Sequence, residues 1–382
     1  MPDFLTSLAG TDGILLGVIL PFLFVLIIVV FVHEMGHYLV GRWCGIAAQS
    51  FSIGFGPEIV GFDDRHGTRW KLSLIPLGGY VKFLGDMTVT SSTSDAEQLA
   101  TLSAFDRSRA FHVQPVWKRF LTVLAGPVFN FILTIIVFAV MFATNGRYEM
   151  DPLVGEVMPG GAAMEAGFQP GDKFVSMNGV PISEFADVQR FVATQGGDPI
   201  RFVVQRNGQD VPLTVTPQRV ETTDPLGSKV TRYQIGIRAD ISQDSARRIE
   251  LGPVESLGLA VSETGYMIAA TGQFMKRLVM GREDRCQLGG PVKIADMAGK
   301  AAAKGFVWVV QLVAMLSVGI GILNLLPIPP LDGGHLMFYA IEAVKGRPVS
   351  EAALESVYKA GFLVVLLFMG FVFWNDLVAC RM

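Results

Sequence analysis

The chain has 382 residues, of which 51% are hydrophobic and only 17% charged, with a net charge of -3 and a positive mean hydropathy. That is more apolar material than a soluble core of this length needs, which places the chain in a membrane. No run of Lys or Arg is interleaved with aromatic residues, so the electrostatic footprint of a nucleic-acid binder is excluded.

Four stretches, residues 13–32, 120–143, 306–326 and 360–379, are apolar enough to cross a bilayer, each approaching the roughly 20 residues that a hydrocarbon core demands. The first reads as a retained span and not a signal peptide: residues 1–13 hold no Lys or Arg, and no small-residue cleavage site follows Val32. Arg42, Lys118, Arg119, Lys345, Arg347 and Lys359 put the first and third loops inside, against Lys300 and Lys304, so both termini are expected outside.

Between the first two spans, runs of β type at residues 49–53, 70–75 and 80–84 are punctuated by Gly54, Gly56, Gly67, Gly78 and Gly79. They predict a small hairpin sheet beside the membrane. Its apolar content, with Phe51, Phe55, Leu72, Leu74 and Ile75, suits a sheet that dips into the interface or offers an edge to another strand, and equally a self-packed hairpin. Residues 88–97, rich in Ser, Thr and Asp, read as a flexible connector.

Residues 151–218 carry the alternation and turns of a compact soluble domain. Strands are expected at 153–157, 173–177, 200–205 and 211–215, and helices at 162–166 and 187–194, with turns at Asn178-Gly179 and Asn207-Gly208. The run from Pro159-Gly160-Gly161-Ala162-Ala163 through Ala166-Gly167 to Gly171-Asp172 resembles a PDZ domain of the bacterial protease type. Such domains bind extended or C-terminal peptide segments by β-addition; a PDZ-shaped spacer is the alternative. The three cysteines, Cys44, Cys286 and Cys380, show neither a CxxC pair nor a disulfide framework and read as buried or incidental.

His33-Glu34-Met35-Gly36-His37 is an HExxH motif at the end of an apolar span, where helix is the only sensible reading. In a helix, residues i and i+4 share a face, so both imidazoles reach one metal with Glu34 beside them. Two imidazoles and a carboxylate in the membrane cost several kcal/mol unless compensated, and a divalent cation compensates them. Catalytic zinc usually takes three protein ligands, and Asp332 is the best third. It follows Asn324-Leu325-Leu326-Pro327-Ile328-Pro329-Pro330-Leu331, whose prolines break the third span, and irregular backbone at membrane depth must line a cavity. The exits of the first and third spans lie on one side, so HExxH and Asp332 can meet in either orientation. His335 remains open as an alternative ligand, whereas His66 and His112 read as solvated. Asn324 is positioned to donate a hydrogen bond to a tetrahedral oxyanion or, instead, to satisfy broken backbone; Asn130 reads as a packing residue.

Together these residues resemble the site-2 protease family, in particular its bacterial regulator-of-sigma-E protease type. The match covers HEMGH, FSIGFGP, IPLGGYVKFLGD, LAGPVFNF, the PDZ-like domain, GGPVKIADMAG and NLLPIPPLDGGH. The resemblance implies a polytopic α-helical membrane protein of about four transmembrane helices, with a membrane-associated β-hairpin sheet and one soluble PDZ-like α+β domain. Its parts would be a first transmembrane helix at 1–46, sheet and connector at 47–119, a second helix at 120–146, the PDZ-like domain at 150–218, an extension at 219–305 and the last two helices at 306–382. It further implies that His33, His37 and Asp332 hold Zn2+, that Glu34 is the base, and that Asn324, Gly78, Gly79 and Tyr80 contact substrate. The expected activity is a zinc metalloendopeptidase of the bacterial inner membrane, with a periplasmic PDZ-like domain. Its partners would be membrane lipid and single-pass protein substrates such as anti-sigma factors or signal-peptide remnants. Members of that type carry two tandem PDZ domains; only one is legible here, since residues 220–240 are too short for a second. A rival expectation is a non-catalytic membrane adaptor with a closed structural metal site.

Overall fold

The computed structural model describes residues 13, 15–85, 103–223, 226–227, 229–240 and 245–380. The expected connector at 88–97 lies outside the described residues. The chain divides into two compact units, one made of residues 1–137 and 288–382 and the other of residues 138–287.

In the first unit, helix α1 (Leu20–Trp43) follows a π-helical turn at Leu15–Ile19 and runs without a break through the HExxH motif. Two glycines set how closely its neighbours approach. A Cβ on Gly36 would lie 2.5 Å from the Ala125 carbonyl oxygen, and one on Gly41 would lie 2.5 Å from the Phe83 ring. Strands β1 (Ala48–Asp63) and β2 (Arg69–Phe83) follow, then helix α2 (Val116–Asn145), which carries Pro127 in its interior.

Both strands bend. Residues 58–63 of β1 pair with 69–73 of β2, residues 50–53 pair with 79–82, and 50–53 also face 69–72. Four segments therefore lie side by side, in the order 58–63, 69–73, 50–53, 79–82. Gly54 and Gly56, at φ of +89° and +88°, permit the bend in β1. Under the sheet, Phe51, Tyr38, Ile46, Phe83 and Phe111 form a buried cluster that fastens it to α1. Asp64, in the turn between the strands, accepts from the Tyr38 hydroxyl at 2.7 Å, the Trp70 indole at 3.1 Å, and the backbone N–H groups of His66 and Thr68. Burial acts to raise its pKa, but these four donors hold the carboxyl well below the usual range.

The second unit begins with β3 (Arg147–Met150), β4 (Val154–Val157) and the short helix α3 (Ala162–Glu165). Then come β5 (Lys173–Met177), β6 (Val180–Pro181), helix α4 (Phe185–Gln195), β7 (Ile200–Arg206) and β8 (Gln209–Val215). A four-stranded sheet in the order β6-β5-β7-β8 packs Phe174, Phe202, Ile200 and Val204 against Phe185, Val188 and Val192 of α4. Asn178 and Asn207, both at positive φ and each followed by Gly, make the turns that the sequence predicts. A capping box joins Glu184 and Asp187 at the start of α4. Glu184 also pairs with Arg147, although burial still pushes its carboxyl pKa up. The buried Asp172 accepts two hydrogen bonds from Arg206, each 2.7 Å.

Beyond residue 218 the described residues continue in regular structure. Strands β9 (Gln218–Thr223) and β10 (Lys229–Gln234) form a hairpin; β11 (Ile237–Ala239) pairs back with β4, and β12 (Ala246–Ile249) with β3. Helix α5 (Pro253–Val279) completes this unit.

The first unit resumes with α6 (Pro291–Lys304), α7 (Phe306–Asn324), α8 (Asp332–Lys345) and α9 (Glu351–Trp374). Four helices are long and apolar enough to cross a membrane: Leu15–Trp43, Val116–Asn145, Phe306–Asn324 and Ala352–Ala379. They coincide with the four expected spans, and the chain is a multi-pass membrane protein. Cys44 is free and buried, as expected, whereas Cys286 and Cys380 are disulfide-bonded, which corrects the reading of these two as buried or incidental.

Candidate metal centre

One face of α1 supplies His33 and His37, whose rings are one turn apart, buried, and in edge-to-face contact with centroids 4.8 Å apart. Their Nε2 atoms lie 3.2 Å from each other. Asp332 reaches the same point from the first residue of α8, its Oδ2 lying 3.0 Å from His33 Nε2 and 3.5 Å from His37 Nε2. The break between α7 and α8 delivers it: after the three prolines the chain re-enters a helix at Asp332, and a Cβ on Gly334 would lie 2.6 Å from the Pro329 nitrogen.

These three atoms fit a tetrahedral zinc ion. Zinc with bonds of about 2.0–2.1 Å sets neighbouring ligand atoms roughly 3.3 Å apart, and the three separations bracket that value. Asp332 Oδ2 is buried with no hydrogen-bond partner, as expected of an oxygen kept for a cation. His37 Nδ1 lies 2.9 Å from the Thr122 carbonyl, so Nδ1 carries the proton and donates it, leaving the Nε2 lone pair for a metal. Among the described residues, this is the one grouping of three or more His, Cys, Asp or Glu side chains suited to a metal.

Space for the site comes from Gly126 in α2. A Cβ there would collide with His37 Nε2 and stand 2.8 Å from His33 Cε1. This requirement escapes sequence reasoning, since Gly126-Pro127 within an apolar span looks only like a helix irregularity. The family resemblance implies Gly79 as a substrate contact, and the structure adds a packing constraint. A Cβ on Gly79 would lie 2.8 Å from the Ser52 carbonyl oxygen, 2.9 Å from Val30 and 3.2 Å from Glu34 Cγ. The 79–83 segment therefore lies directly against α1, and the Val81 backbone hydrogen-bonds the Glu34 side chain. Gly78 stands at φ +121° over the Phe55 ring, and Tyr80 stacks on that ring at 6.1 Å.

Asn324, the last residue of α7, brings its amide nitrogen to 3.4 Å from His33 Nε2, and so joins the cluster. His335 does not. Its ring is 2.8 Å from the Tyr358 hydroxyl and lies outside the grouping of three. His112 is not solvated as expected: its Nδ1 lies 2.6 Å from the Gly85 carbonyl. In the Asp64 turn, the His66 backbone N–H donates to the carboxylate.

An HExxH helix within a membrane span, completed by an aspartate from a second, broken span, defines a membrane metalloprotease. The model of peptidase family M50 matches residues 21–368, and the chain belongs to this family, the site-2 proteases. It is 62% identical over 380 residues to a Brucella suis protein named "Putative zinc metalloprotease", with all of both chains covered. A Mesorhizobium japonicum protein of the same designation is 61% identical over 365 residues, covering 96% of this chain and all of that one. Metalloprotease MmpA of Caulobacter vibrioides is 39% identical over 376 residues, covering 93% of this chain and 94% of that one.

Proposed function

We propose that this chain is an intramembrane zinc metalloendopeptidase that cuts within the transmembrane segments of single-pass proteins. By family resemblance its substrates are anti-sigma factors or remnant signal peptides, cut during regulated intramembrane proteolysis at the bacterial inner membrane. The observation that carries this reading is the convergence of His33, His37 and Asp332 at separations suited to zinc, with Glu34 on the same helix.

His33 and His37 would hold zinc through Nε2, and Asp332 would supply the anionic ligand. The bound metal contributes Lewis acidity at the carbonyl under attack. Glu34 takes the proton of the attacking water and passes it to the leaving amine. Asn324, whose amide nitrogen is beside His33, donates to the oxyanion as charge develops. A helical substrate hides its carbonyls in its own hydrogen bonds, so it must unwind first. Among the described residues no other strand pairs with the 79–83 segment, whose Val81 reaches Glu34, so its free edge supports a role in holding an unwound strand by β-addition.

The second unit, with its four-stranded sheet, α4 and the Gly160-Gly161 loop, is read as a PDZ-like domain on the periplasmic side. Disulfides persist in oxidising compartments, so the bonded state of Cys286 and Cys380 supports placing both outside, as the loop charges do.

The test compares the intact protein with Glu34→Gln in detergent, measuring zinc content and cleavage of a helical membrane substrate. Glu34→Gln should keep its zinc and lose cleavage by about 10²–10⁴-fold, the usual contribution of a general base. Zinc lost from a folded Glu34→Gln protein would remove the base assignment. Zinc retained with no cleavage by the intact protein, across substrates, would favour an adaptor.

A further inference from the structure

We infer that Asn130 is the positioning residue that fixes the proton of His33, completing on this ligand what the Thr122 carbonyl does on His37. The inference rests on the zinc reading above. An imidazole that binds a cation through Nε2 carries its remaining proton on Nδ1 and needs an acceptor there. For His37 that acceptor is the Thr122 carbonyl, 2.9 Å away. For His33 the group at Nδ1 is the Asn130 side-chain amide, 3.3 Å away and fully buried.

Of the two amide atoms, only Oδ1 can accept, and the assignment of oxygen and nitrogen in an amide follows from its hydrogen bonds. With the nitrogen turned to His33, Asn130 Oδ1 is buried without a partner. A half-turn of the amide places Oδ1 on the His33 Nδ1–H group, the orientation in which this side chain accepts there. The zinc-binding tautomer of His33 calls for that arrangement, since an Nδ1–H needs an acceptor and the Asn130 amide is the group beside it.

The backbone around Asn130 is held for this task. Its carbonyl accepts from the Ser317 hydroxyl on α7 at 2.9 Å and from Thr134 at 3.2 Å, and Thr134 also donates to the Ala314 carbonyl at 3.0 Å. All three side chains are fully buried. In hydrocarbon such interhelical bonds lock one helix against its neighbour, so the amide arrives at His33 from a fixed platform.

The experiment measures zinc affinity by chelator competition in detergent, and the protonated nitrogen of His33 by ¹⁵N NMR of histidine-labelled protein. Asn130→Leu keeps the volume and removes the acceptor; it should weaken zinc binding about 10–100-fold, the usual effect of losing such a partner. Asn130→Asp keeps an acceptor in place and should restore binding to within a few-fold of the intact protein, with His33 protonated on Nδ1 in both. Native zinc affinity in folded Asn130→Leu would overturn the inference, as would failure of Asn130→Asp to bind better than Asn130→Leu. If Asn130→Leu does not fold, Asn130→Ala takes its place, and native zinc affinity in that folded variant overturns the inference equally. Absence of zinc binding by the intact protein would instead overturn the metal site itself.

Discussion

At the scale of single residues, the sharpest division lies between Asp332 and His335, three positions apart on α8. Asp332→Asn keeps the shape but removes the charge that faces both Nε2 atoms, so zinc affinity should fall by at least ~10-fold, and cleavage with it. His335→Ala, whose ring bonds Tyr358 and stays outside the cluster, should keep zinc and measurable turnover. Metal analysis of the two purified variants decides; zinc lost only from His335→Ala would exchange their roles. Gly126→Ala puts a methyl group where the His37 ring stands and should deplete zinc as severely as Asp332→Asn in a protein that still inserts. His33, Glu34 and His37 were legible because helical periodicity places i and i+4 together, and Asp332 because span parity and the prolines restrict the alternatives. Gly126 and Asn130 were not. A lone glycine or asparagine in an apolar helix has no pattern of its own, and its meaning comes from an atom on another helix.

At the scale of elements, the sequence predicts three short strands where two long bent ones form. Alternation marks which residues are extended, but it cannot say that residues 50–53 have neighbours on both sides, because that depends on bends at glycines. The Asp64 turn that ties the sheet to α1 is pH-sensitive. Its folded pKa is depressed, so its stabilisation is fully present above the ordinary carboxylate value, and it is lost as pH falls through the folded one. Trp70, a donor to Asp64, should report an acid transition in fluorescence that Asp64→Asn abolishes; an unchanged transition would place the titrating group elsewhere. On the substrate side, helix-breaking residues within the span should speed cleavage, and replacing them by Leu should slow it, because each helical hydrogen bond resists extension. Equal rates for rigid and breakable substrates of matched affinity would mean that unwinding does not limit turnover.

At the scale of the whole molecule, the strand pairing shows where the β-rich part of the second unit can be removed. Met150 of β3 and Ala246 of β12 are paired residues, so the chain leaves and returns at adjacent points. Cutting at residue 218 would instead strand β11 and β12 without their partners β4 and β3. Excising residues 151–245 and joining the ends by an Asn-Gly turn should retain zinc and change which substrates are cut, as judged by cleavage of a substrate panel. A variant that inserts, binds zinc and cuts nothing would give the unit a direct part in catalysis. Sequence placed this unit's core strands and helices, because each is bounded by its own turn signals. It gave no sign that β11 and β12 close it from beyond the expected end, since pairing across nearly a hundred residues is invisible to local pattern.

The β-addition proposed for residues 79–83, which among the described residues pair only with β1, has a consequence for what counts as a substrate. A strand laid along it presents successive side chains to opposite sides, so any demand it makes recurs at every second residue. Lipid reads the same segment as a helix, by overall hydropathy and with a repeat of 3.6. Stability in the bilayer and fitness for cutting are therefore written in different periods over the same residues. On that proposal, two spans equally at home in lipid would differ at the edge, and a single substitution at alternate spacing would silence cleavage without altering insertion.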